Sequence, residues 1–73
     1  MQKKELFIKE EFIKLDSALK FANIVSSGGQ AKILILDGNI KVNGETVLQR
    51  GKKLYKNDSF IFDNTEYVIK NDY

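Results

Sequence analysis

The side chains in this sequence best placed to do chemistry are its cations, and they are unevenly distributed. Arg50, Lys52 and Lys53 form the densest group. With Lys14, Lys20, Lys32, Lys41 and Lys56 they face only Asp16, Asp37 and Glu45 between residues 14 and 56. Residues 1–13 balance Lys against Glu, and residues 57–73 set Lys70 alone against Asp58, Asp63, Glu66 and Asp72. The net charge of +2 therefore conceals a positive middle and an acidic end. Such a middle suits a polyanion, because each Lys or Arg that meets a phosphate releases a condensed counterion. A solvated, lysine-rich surface is the bland alternative, and charge alone does not separate the two.

The remaining composition excludes most catalytic chemistry. The 73 residues contain no Cys and no His. The usual zinc and iron–sulfur ligand sets are missing, and so is any Ser–His or Cys–His nucleophile pair. The carboxylates are scattered; Asp16 and Asp58 read as a helix cap and a turn residue, not as an acid–base couple. No enzymatic activity, cofactor or metal is expected.

Residues 1–73 read as one domain with 42% hydrophobic residues and neither disulfide nor metal to staple it, so the core must be ordinary apolar packing. The first twelve residues are charged and lack a signal-peptide apolar run. No segment approaches the roughly 20 apolar residues of a membrane span. A cytoplasmic, monomeric protein with no membrane association is expected.

The elements that must position the cations can be read in turn. Glu5–Ile13 is rich in Phe and Ile and predicts a strand bent at Glu10–Glu11. Leu15, Ala18, Leu19 and Ala22 follow helical spacing, with Asp16 where an N-cap belongs and Lys20 on the solvent or ligand face. Ser27 and Gln30 have capping-box spacing, and Gly38 suits a helix C′ position, so Gln30–Asp37 predicts a second helix. Its β-branched, nearly all-apolar run also fits a buried strand; the caps favour a helix sandwiched between the first helix and a sheet. Asn43-Gly44, flanked by alternating residues, predicts a two-residue hairpin with Ile40 and Val42 inward and Lys41 outward. Gln49–Lys53 is a polar, basic connection and Asn57-Asp58 a turn. Ser59–Phe62 and Thr65–Ile69 form a last hairpin around Asp63-Asn64. The order is strand, two helices, four short strands: an α+β domain with two short helices packed on a small, twisted, mainly antiparallel sheet.

Several of these features have both a functional and a structural reading. Ser27-Gly28-Gly29 can cradle a phosphate at a helix start or simply turn between helices. It is not a P-loop, whose G-x-x-x-x-G-K-[ST] spacing is missing. Lys32 can contact RNA or snorkel from an apolar helix. Asn43 and Gly44 are accounted for by turn geometry, with ligand contact an addition. Tyr55, Phe60 and Phe62 can stack on bases, though strand alternation favours their packing in the core.

Taken in order, the middle of the chain resembles the S-four RNA-binding domain. The matching stretches are Lys14-Leu15-Asp16 with Leu19, then Ser27-Gly28-Gly29-Gln30-Ala31-Lys32, then Gly38 to Gly44, and Lys56-Asn57-Asp58. The resemblance covers about residues 12–62. It is strongest to the stand-alone, single-domain YaaA/YbcJ-like group, through the run Ser26–Lys32 and Arg50–Leu54. It implies a helix pair of the alpha-L motif on a sheet, binding structured RNA, plausibly ribosomal RNA or the ribosomal subunit, without a catalytic centre. The RNA-facing residues it implies are Lys14, Lys20, Ser27, Gly28, Gly29, Gln30, Lys32, Lys41, Asn43, Gly44, Arg50, Lys52 and Lys53. Two positions depart from the pattern: Gly28 stands where many members carry Arg, and Asn57 where many carry Gly. The competing expectation is a protein-interaction module that pairs a free sheet edge with a partner strand; duplex DNA is a variant of the first.

Overall fold

The computed structural model describes residues 1–71. Two strands precede two helices, and five strands follow: β1 (Gln2–Ile8), β2 (Phe12–Lys14), α1 (Leu15–Phe21), α2 (Gly28–Leu36), β3 (Lys41–Val42), β4 (Glu45–Thr46), β5 (Lys53–Tyr55), β6 (Ser59–Phe62) and β7 (Thr65–Asn71). The architecture is α+β, as expected. The main sheet has the order β1-β7-β6-β3-β4, and β2 pairs with β5 in a separate two-stranded ribbon. All pairings are antiparallel except that of β1 with β7.

The expected first strand is in fact two strands in two different sheets. Lys9, Glu10 and Glu11 are consecutive charges, and a strand would have to turn at least one of them into the core, where an unpaired charge is costly. The chain instead leaves β1, exposes all three, and re-enters as β2. The strand β5 is not among the four strands expected after the helices. It begins at Lys53, the last residue of the basic connection, with Leu54 as its one inward residue, fully buried.

Helix α1 buries Leu15, Ala18 and Leu19. Asp16 is not its N-cap. Lys14 holds that position, with no side-chain cap, and Asp16 lies inside the first turn. There its Oδ1 accepts from the Ser17 N–H at 2.7 Å, and its charge opposes the positive end of the helix. The helix closes in a Schellman pattern on Asn23 (φ 61°), whose N–H donates to the Lys20 carbonyl while that of Ile24 donates to Leu19.

Helix α2 starts two residues earlier than expected. Ser27 is the N-cap, its Oγ accepting from the Gln30 N–H at 3.2 Å, so Gly28 and Gly29 form the first turn. It ends at Leu36, with Asp37 as C-cap and Gly38 (φ 77°) at C′, as its sequence predicts. The sandwich expected between the first helix and a sheet is only partly made. Ala31 and Ile35 face the core, whereas Ile33 and Leu36 are 62% and 55% exposed, because only one stripe of the helix packs inward, chiefly against α1.

Both remaining hairpins turn as their sequences predict. Asn43 and Gly44 (φ 50° and 89°), and Asp63 and Asn64 (φ 50° and 63°), all adopt the left-handed conformation that a type I′ turn needs. On the core face of the sheet Val42, Phe60 and Tyr67 form a cross-strand row. The Phe60 and Tyr67 rings stack with centroids 4.9 Å apart. Ile8, Ile40, Leu54 and Ile69 join the residues of both helices around them in one core. Phe60 is wholly buried at the centre of that row. Phe60→Ala should lower the unfolding free energy by about 3–5 kcal/mol, close to the whole stability of a small domain. Urea titration followed by circular dichroism should find the variant largely unfolded without denaturant, and Phe60→Leu intermediate.

Candidate nucleic-acid interface

The site is built on the start of α1. A helix opens with N–H groups that have no partner within the helix. Here two of them are met by main-chain carbonyls from the basic turn: Leu15 N–H donates to Lys52 at 2.8 Å, and Asp16 N–H to Arg50 at 3.1 Å. The β2–β5 ribbon continues the attachment, placing Lys14 opposite Lys53. The turn is tightened by Lys52 N–H donating to the Gln49 carbonyl. Arg50 Nε lies 3.8 Å from Asp16 Oδ2, a long pair between an exposed guanidinium and a half-buried carboxylate, and therefore a weak one. Lys14, Arg50, Lys52 and Lys53, all exposed, are thereby gathered on a tethered backbone. Like charges opposite one another on adjacent strands destabilise a ribbon, so the Lys14–Lys53 pair is a cost to folding that a bound anion would relieve.

The ribbon also carries aromatics. Phe12 lies opposite Tyr55, their ring centroids 5.7 Å apart and tilted by 47°, and Lys53 Nζ sits 4.8 Å from the Phe12 ring centroid. Of the three aromatics whose alternation favours core packing, Phe60 is in the core and Phe62 half-buried against it, but Tyr55 is 43% exposed. Alternation along β5 explains this: Leu54 points inward, so Lys53 and Tyr55 point out.

At the start of α2, Gln30 reaches back one residue further than in a capping box. Its Oε1 accepts from the N–H and the hydroxyl of Ser26, at 2.8 and 2.9 Å. A Cβ at Gly28 would meet nothing within 4 Å, and one at Gly29 only Ser27 Oγ at 3.9 Å. The fold therefore does not require either glycine, and this helix start is open on its outer side.

Asn43 is committed to the fold. Its N–H donates to the Ser59 carbonyl, its Oδ1 accepts from the Ser59 N–H, and its Nδ2 donates to Asp58 Oδ1, at 2.9, 3.1 and 3.2 Å. The other oxygen of Asp58 accepts from the Tyr55 N–H at 2.8 Å. The β3–β4 hairpin is thus bound through its turn to the bend at Tyr55–Asp58, where Asn57 supplies a left-handed residue (φ 74°). Lys20 lies in the last turn of α1, Lys32 in the exposed part of α2, and Lys41 on the outer face of β3. Among the described residues no hydrogen bond or ion pair joins these three to the Lys14–Lys53 group. Phe12 is the site residue that sequence reasoning left out; Tyr55 is weighed there as a base-stacking residue but favoured for the core, and Asp58 is read only as a turn residue. No group of three or more His, Cys, Asp or Glu side chains among the described residues is placed to hold a metal, and no helix is long and apolar enough to cross a membrane.

A helix pair opened by a serine-capped glycine turn, a tight Asn-Gly hairpin and a tethered basic turn define a small alpha-L type module, and the comparisons with known proteins agree. Residues 6–70 match the family model described as S4 domain, and the chain belongs to that family. It is similar to a Bacillus subtilis (strain 168) protein described as "Probable ribosome maturation protein RlbA", being 41% identical over 51 residues that span 70% of this chain and 72% of that one.

The Asn43 network makes a prediction of its own. Asn43→Ala removes two side-chain hydrogen bonds and puts a Cβ residue without a local partner at positive φ. It should cost about 1–3 kcal/mol. A double-mutant cycle with Asp58→Ala, measured by thermal unfolding, should return markedly less than the sum of the single effects.

Proposed function

We propose that this chain is a non-catalytic RNA-binding protein that recognises structured ribosomal RNA, or a ribosome assembly intermediate, through its helix pair, hairpin and basic turn. The observation that carries this reading is the fastening of Arg50 and Lys52 by their own carbonyls to the start of α1, with Lys14 and Lys53 paired beside them. Cations held this way lose little further backbone freedom when they meet phosphates. Membership of the S4 domain family and the similarity to a Bacillus protein described as a probable ribosome maturation protein support the same reading. In it Lys20, Lys32 and Lys41 make outlying phosphate contacts, Gly28, Gly29 and Gln30 let the ribose-phosphate chain approach the open start of α2, and Ser27, Asn43 and Gly44 hold the shape that is recognised. Contacts of this kind select shape more than sequence. The protein acts as a cytoplasmic monomer without a cofactor.

Affinity for purified ribosomal RNA should fall with salt along a log–log slope of roughly −3 to −5, for about five neutralised phosphates. Changing Arg50, Lys52 and Lys53 together to Ala should weaken binding at least about tenfold and flatten that slope by about two to three. Filter binding across a salt series measures both, and an unaltered slope would remove the basic turn from the interface.

One observation favours a second reading. The seven-residue strand β1 is at the edge of the main sheet, paired on one side only. A partner strand could add there. That reading expects a protein partner retained after nuclease treatment and high salt, and lost when a proline replaces an edge residue such as Glu5.

A further inference from the structure

The outer face of the β2–β5 ribbon carries four side chains in a square, Phe12 opposite Tyr55 and Lys14 opposite Lys53. The inner face sends Ile13 and Leu54 towards the core. The geometry points to this outer face as a site for an unpaired nucleobase of an RNA strand, stacked on the Tyr55 ring, with the adjoining phosphates on Lys14 and Lys53. The inference rests on the RNA-binding reading above and adds to it a contact with a base.

Each corner has a separable part. Phe12 is already engaged: Lys53 stands over its ring and Tyr55 leans against it, so it serves as a brace. Tyr55 is the exposed ring of the pair. Its backbone is fixed on both sides, because its N–H donates to Asp58 Oδ2 and its carbonyl accepts from the Asp58 N–H at 2.9 Å. The bend itself is pinned to β7 by Asn57 N–H donating to Ile69 and Ile69 N–H donating to Asp58. An aromatic ring on so fixed a backbone has only its own torsions to lose when a base stacks on it.

There is also room beside the ring. An open surface depression of about 520 Å³ is lined by Glu11, Tyr55, Lys56 and Asn71. Glu11 can accept hydrogen bonds from an exocyclic amine there, and Lys56 on the same lining can meet a phosphate. The base edge is therefore directed to Glu11, and the backbone to Lys56 on one side and to the Lys14–Lys53 pair on the other. The ribbon also runs directly into Lys52 and Arg50, so a strand tracking the basic turn reaches Tyr55 by way of Lys53 and Lys14.

The test compares a labelled oligoadenylate of about ten nucleotides with an abasic oligomer of the same length and charge, by fluorescence anisotropy. The wild-type protein should bind the oligoadenylate roughly tenfold or more tightly. Tyr55→Ala should bring that ratio close to one while leaving abasic affinity in place, and Tyr55→Phe should keep it. Tyr55→Leu, which retains apolar bulk without a ring, should behave as the Ala variant does and guards against a folding defect. Equal affinity of the wild type for the two oligomers, or a ratio unchanged in Tyr55→Ala and Tyr55→Leu, would overturn the base site and leave the phosphate reading standing. Binding of ribosomal RNA with no binding of either oligomer would also overturn the base site. Binding of none of the three would overturn the RNA reading with it.

Discussion

The N–H groups that open α1 must be satisfied, and a side chain meets only one of them, that of Ser17 at Asp16 Oδ1. The first two, of Leu15 and Asp16, take the carbonyls of Lys52 and Arg50. This requirement joins the start of the helix pair to a loop far along the chain. It forces the loop to follow a defined path, closes the β2–β5 ribbon, and drives Leu54 into the core. A run of positive charge that would otherwise be a mobile surface loop becomes part of the scaffold. The electrostatic character of this protein is thus a consequence of helix termination chemistry as much as of amino-acid composition.

Opposing forces meet at that junction. Lys14 and Lys53 repel across the ribbon, and Asp16, whose carboxylate pairs with the basic turn, meets Arg50 and not either lysine. The cost is borne because the junction also buries Leu15 and Leu54 completely. Apolar burial outweighs exposed charge repulsion by a wide margin, since fully burying one leucine is worth about 1.5–3 kcal/mol and a cross-strand pair on the order of 0.2–1 kcal/mol. The Asn43–Asp58 network does similar work on the other side of Tyr55, substituting polar main-chain ties for the disulfides or metals that a domain this short often uses.

Local chemistry was readable in the sequence, and long-range pairing was not. The turns at Asn43-Gly44 and Asp63-Asn64, the cap at Ser27 and the stop at Gly38 depend on residues within a few positions of each other, and the structure has all four. The break at Lys9–Glu11 appears in the sequence as a bend, but nothing local says that the two halves belong to separate sheets. The strand β5 has three residues and one inward position, too little for any periodicity to register. The same holds for the candidate site. The group from Arg50 to Lys53 is visible as a run, whereas Lys14 reaches it only through the ribbon. Tyr55 looks like a core residue until β5 is known to exist, and Asp16 looks like a cap until the Arg50 and Lys52 carbonyls are seen to take that place.

The pairing of β1 with β7 runs parallel and in full register, from Gln2 opposite Thr65 to Ile8 opposite Asn71. During synthesis the first of these strands emerges long before its neighbour exists. Until then its hydrogen-bonding groups and the side chain of Ile8 have no native partner, and the sheet cannot reach its final width. The remaining antiparallel hairpins can form as they emerge, because their contacts are short-range. Completion of the core is therefore a late event, set by delivery of the last strand, which also brings Tyr67 and Ile69 to the core.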